Sequence, residues 1–142
     1  MQFAVLMNTK FWLSSMAALM LLVSPASFGN EEPRRVMYFP FDPDITTNFI
    51  KLDETRHLGY IRVAIEAAVS NPVDLGIVEH HAPLLRSAFV EIFGAAQEGK
   101  VRSMTGREEL RQECITTARE LLERETGRPV IENLLFTTYM YQ

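Results

Sequence analysis

A chain of 142 residues with 47% hydrophobic and 23% charged side chains has the balance of one globular domain with a short targeting segment, not of two domains. Its net charge of −4 comes with no dominant basic patch, which argues against nucleic acid as a partner. Cys114 is the only cysteine, so an internal disulfide, a Cys-based zinc site and a lipid-anchor cysteine after the first apolar run are all excluded.

That apolar run opens the chain. Phe11–Val23 reads FWLSSMAALMLLV, follows Lys10, and gives way to Ser24-Pro25-Ala26-Ser27-Phe28-Gly29. This is the form of a secretory signal: a positive start, an apolar stretch, then small residues. A membrane-spanning helix wants roughly 20 apolar residues, and Pro25 cuts this run short. Residues 1–29 therefore read as a signal peptide, cleaved after Gly29 or Ala26, or as a signal anchor lengthened upstream by Phe3–Leu6. Residues 30–142 are the exported body in both cases, because the charge before the run is positive and Glu31 and Glu32 follow it.

Three β-prone runs come next. Val36–Phe41 is short and aromatic, and Pro40 makes it an edge strand or a strand end. Asp42-Pro43-Asp44 reads as a turn, Ile45–Lys51 as a second strand, and Asp53–Gly59 as a polar connection. In Tyr60–Val69, Ile61, Val63, Ile65, Ala67 and Val69 alternate with Tyr60, Arg62, Ala64, Glu66 and Ala68, which separates a buried row from a wetter one. Short connections between the runs predict an antiparallel meander.

Helical character begins after Ser70. Asn71 suits a cap and Pro72 a first helical position, where its missing N–H has no partner to lose. Val73–His81 predicts about two turns, with Pro83 restarting or kinking the helix. Leu85, Ala88, Phe89, Ile92 and Phe93 form one apolar stripe, which Gly94 and Gly99 end. Thr105 and Glu108 fit a capping box opening a helix to about Arg124, with Leu110, Cys114, Ala118, Leu121 and Leu122 on one face. Gly127 and Pro129 stop it. Val130–Tyr141 is rich in β-branched and aromatic residues and reads as a last strand returning to the sheet. The prediction is an α+β fold: antiparallel N-terminal strands, two to three central helices packed on the sheet, and a C-terminal strand.

Residues able to carry chemistry are few. His80 and His81 are adjacent, so on a helix they point about 100° apart, and a helical metal pair needs i, i+4 spacing. His57 lies in the preceding loop, and no cysteine is near any of the three. Cys114 sits on an apolar helix stripe, where a buried hydrophobe is the plainer reading than a nucleophile. The run Arg107–Glu113 reads as the wet face of its helix, with Glu108–Arg111 a favourable pair and an oligomer contact the sharper alternative. No phosphate loop, dinucleotide fingerprint or nucleophile elbow is present. No catalytic, cofactor or metal residue is assigned.

Several short segments together resemble the FliL family of flagellar basal body-associated proteins. They are Asn48-Phe49, Tyr60-Ile61-Arg62-Val63, His81-Ala82-Pro83-Leu84-Leu85-Arg86, the stretch from Gln97 through Gly106-Arg107-Glu108-Glu109-Leu110-Arg111, and the terminal Phe136-Thr137-Thr138-Tyr139-Met140-Tyr141-Gln142. The resemblance covers Val36 to Gln142, so residues 30–142 are expected to form a FliL-like periplasmic domain similar to the stomatin-type fold. It further implies a non-enzyme without cofactor that assembles with itself and with the stator proteins MotA and MotB at the basal body, with membrane association through the N-terminal segment. The chain departs from typical members in lacking a clear cytoplasmic head and a full-length span, as a soluble FliL-like paralogue would. A different class of function is a periplasmic module binding a small molecule or metal through the aromatic strands and His57, His80 and His81.

Overall fold

Alternation along the middle of the chain produces its longest strand. The computed structural model describes residues 35–52 and 58–142, all within a unit spanning Pro33–Gln142. Its elements are β1 (Met37–Pro40), β2 (Ile45–Phe49), β3 (Gly59–Val69), α1 (Pro72–Ala95), α2 (Glu98–Arg102), α3 (Met104–Thr126) and β4 (Asn133–Tyr141). The α+β order expected from the sequence is the order observed. The N-terminal segment 1–29 and His57 lie outside the described residues.

The meander is not observed. β1 and β2 do not pair with each other; both run antiparallel along one edge of β3, with Met37 opposite Val69 and Ile45 opposite Val63. β4 pairs along the opposite edge, so β3 is the centre of the sheet. Between Pro40 and Ile45 four residues stand opposite Ala64 and Ile65 alone. The Asp42-Pro43 segment is therefore an outward excursion within one edge strand, not a reversal. Phe41 N–H still donates to Ile65 O at 2.9 Å, which keeps the edge attached, and Arg86 from α1 donates to the carbonyls of Phe41 and Pro43. A proline without a donor is tolerated where the ladder is already interrupted. The Asp42-Pro43 peptide is cis.

Asn71 caps α1 as expected: its Oδ1 accepts from Asp74 N–H at 2.9 Å, and Pro72 follows. The helix then continues through Pro83 to Ala95, where the sequence predicts a restart or kink. Glu79, whose carbonyl loses its intrahelical donor at Pro83, is exposed, as is Pro83, so water can take the bond. The buried row Val78, Leu85, Phe89 and Phe93 holds the helix on the sheet. Each such side chain contributes about 1.5–3 kcal/mol of burial, enough between them to offset a proline.

The cap of α3 also differs. Ser103, not Thr105, accepts from Gly106 N–H at 3.0 Å, so Thr105 and Glu108 lie inside the helix. α2 intervenes and brings the Lys100 backbone against Gly106, where an added Cβ would sit 2.1 Å from the Lys100 oxygen. Gly127 ends α3 at φ 78°, donating to Glu123 O at 2.8 Å. Leu110, Cys114, Ala118 and Leu122 face the core as predicted, and Leu121 is half-buried.

The core lies between one face of the sheet and the helices. Ile61, Val63, Ile65, Ala67 and Val69 point into it, and Phe41 meets Phe89 edge-on at 5.2 Å. Tyr60, Arg62, Ala64 and Glu66 form the opposite row of β3, where Arg62 pairs with Asp44 at 2.6 Å. Among the described residues no helix is long and apolar enough to cross a membrane.

Candidate interaction surface

Among the described residues, the side chains suited to chemistry do not converge. His80 is exposed, and His81 is half-buried with Nδ1 2.8 Å from Ile77 O. Their rings meet edge-on at 4.9 Å. No group of three His, Cys, Asp or Glu side chains able to hold a metal occurs among the described residues. Cys114 is wholly buried, and burial pushes its thiol up to about 12, so the nucleophilic thiolate is scarce at neutral pH.

The segments on which the resemblance rests have structural work instead. Phe49 is buried with its ring over Gly59, its partner across the β2–β3 ladder; a Cβ on Gly59 would lie 2.2 Å from that ring. Arg86 pins the excursion at Pro43, and Gly106 lets α3 start against α2.

The charge run at the start of α3 holds the largest departure from the sequence reading. Arg107 and Arg111 do not simply face water. Arg107 Nη2 donates to Phe136 O at 3.1 Å, and Arg111 Nη1 donates to Leu134 O at 3.1 Å and to Asn133 Oδ1 at 2.7 Å. Two turns further on, Arg119 donates to the carbonyls of Ile131 and Glu132. One flank of α3 thus satisfies carbonyls leading into and along β4, and guanidiniums with fixed donor forks suit that task. The spacing of four and then eight residues is the only sequence signal for it, and it is also the spacing of any helix face.

The expected Glu108–Arg111 pair is present. Hydrogen bonds from Arg111 and then Gln112 hold the Glu108 carboxyl down at about 2, and the Arg111 guanidinium is pushed up in turn by Glu108. Beside this row, Tyr139 lies under Arg107, whose guanidinium carbon is 5.0 Å from the ring centroid, and its hydroxyl donates to Val101 O at 3.0 Å. Burial pushes the Tyr139 phenol up to about 12, against the opposing pull of Arg107. At the other end of the helices, Arg128 pairs with the buried Asp74, tying the stop of α3 to the start of α1.

What the fold presents outward is therefore surface. α1 exposes Val73 (68%), Leu84 and Val90 with Gly76 between the first two, while α3 exposes Glu109, Glu113, Glu120 and Glu123. The uncovered row of β3 continues onto Met140 of β4 beside Tyr60 and Arg62, lining a shallow depression with Thr46. A four-stranded antiparallel sheet carrying helices on one face defines an α+β domain. The family model for the flagellar basal body-associated protein FliL matches residues 38–142, and the chain belongs to that family. A curated relative, flagellar protein FliL of Aquifex aeolicus (strain VF5), is 27% identical over 110 residues. That alignment takes in 78% of this chain and 64% of the relative, so the chain spans less than two thirds of the relative's length.

Proposed function

We propose that this chain is a non-catalytic motor accessory protein that acts by protein–protein contact, supporting stator function at the flagellar basal body. The family match over residues 38–142 carries this reading. The residues within the match support it, since Phe49, Gly59, Arg86, Gly106 and Arg111 hold the architecture through packing and backbone hydrogen bonds. In this reading residues 1–29 export the chain as a signal peptide or hold it as an anchor, and residues 30–142 work in the periplasm, assembled with further copies and with stator proteins. The small-molecule or metal-binding alternative gains no support from the described residues, among which no group of three His, Cys, Asp or Glu able to hold a metal occurs.

The test is the swimming speed of a deletion strain in media of increasing viscosity, with flagella counted in parallel. Normal flagella with speed lost under load support the motor role. Unchanged swimming at every viscosity would sink it.

A further inference from the structure

The two halves of β4 meet solvent differently along the outer edge of the sheet. Tyr60 and Gln142 exchange both backbone hydrogen bonds, at 3.1 and 3.0 Å. Antiparallel ladders alternate, so the N–H and C=O groups of Tyr139 and Tyr141, opposite Val63 and Ile61, turn away from β3. In the first half of β4 the outward carbonyls of Leu134 and Phe136 are taken by Arg111 and Arg107. In the second half the outward backbone groups of Tyr139 and Tyr141 have no hydrogen-bond partner among the described residues. Edge strands are ordinarily blunted by charge or proline, and residues 133–142 contain neither.

The flank of this edge is cationic. Arg107 stands over Tyr139 and has no carboxylate partner among the described residues; Arg102 stands over Tyr141 at 5.3 Å, half-exposed, with Glu98 at 2.8 Å. Tyr139 and Tyr141 are two residues apart and share a sheet face, so the guanidiniums follow the repeat of an extended chain. We infer that the Tyr139–Tyr141 edge accepts an added strand from a partner: an extended segment bearing carboxylates at alternate positions. Backbone bonding to Tyr139 and Tyr141 supplies the docking, and the carboxylates meet Arg102 and Arg107. Pairing with the same edge of a second copy would set these arginines against each other, which disfavours self-association here. The inference stands on the edge geometry and is independent of the motor role.

The full chain is titrated with a synthetic peptide of alternating glutamate and valine, and with the same peptide carrying lysine for glutamate. Amide hydrogen exchange is followed at Tyr139 and Tyr141. The acidic peptide should slow exchange at both amides and bind about tenfold more tightly than the lysine peptide at low salt, as two exposed ion pairs allow. Tyr141→Pro removes an outward donor without touching the ladder to β3, and should abolish binding. Arg107→Gln, the second variant, should narrow the difference between the peptides. Absence of protection by the acidic peptide, equal binding of the two peptides, or protection that grows with protein concentration alone would each overturn the inference, the last by making a second copy the occupant.

Discussion

Gly106 and Gly76 are both helical glycines, and they should respond to alanine in opposite directions. A Cβ on Gly106 would sit 2.1 Å from the Lys100 oxygen, backbone that cannot swing aside, whereas one on Gly76 meets nothing within 4 Å. Gly106→Ala should destabilise by about 1–3 kcal/mol, the range for overpacking. Gly76→Ala should stabilise by about 0.5–1 kcal/mol, since alanine loses less backbone freedom. Urea unfolding of the two variants checks both. Cys114, with its thiol pushed up to about 12, should resist iodoacetamide in the native chain at pH 8 and react readily once denatured. Glu108 titrates in the opposite sense. Its folded value, about 2, lies below the ordinary 4.5, so whatever it contributes is present above 4.5 and disappears as pH falls toward 2. The melting-temperature gap between the wild type and Glu108→Gln should therefore close across that interval. Glu108–Arg111 was legible from i, i+3 spacing alone, because both ends lie on one helix. The bonds from Arg107, Arg111 and Arg119 to carbonyls beyond Gly127 were not, because nothing local says which strand an α3 flank will meet.

α1 shows packing overruling local propensity. Pro83 costs a helix about 3 kcal/mol in isolation, yet Pro72–Ala95 runs unbroken because its apolar row is buried on both sides of the proline. Pro83→Ala should accordingly raise stability, by up to about 3 kcal/mol, without changing the far-ultraviolet spectrum. A rise in melting temperature measures the restored bond to Glu79; no rise would mean that the carbonyl is already satisfied. The cap at Asn71, the stop at Gly127 and the apolar faces of α1 and α3 were all readable, since each depends on residues within a turn or two. The start of α3 was displaced from Thr105 to Ser103 because α2 lies against Gly106, a tertiary approach that a capping-box pattern does not encode.

Among the described residues, every member of the buried core lies between Phe41 and Phe136. A chain beginning at residue 30 should therefore unfold in one cooperative transition, as monitored together by circular dichroism and Tyr fluorescence; divergence of the two probes would contradict a single core. The sequence by itself determined the α+β class, the alternation that makes β3 two-faced, the helix cap and stop at Asn71 and Gly127, and the family resemblance, because periodicity, caps and short motifs are local properties of the chain. Only the tertiary structure decided that β1 and β2 share one edge of β3, that Pro83 leaves α1 intact, and that arginines on α3 occupy half of the β4 edge while the other half stays unpaired. Those outcomes join groups far apart in sequence, and which of them meet is settled by burying one face of the sheet beneath two helices.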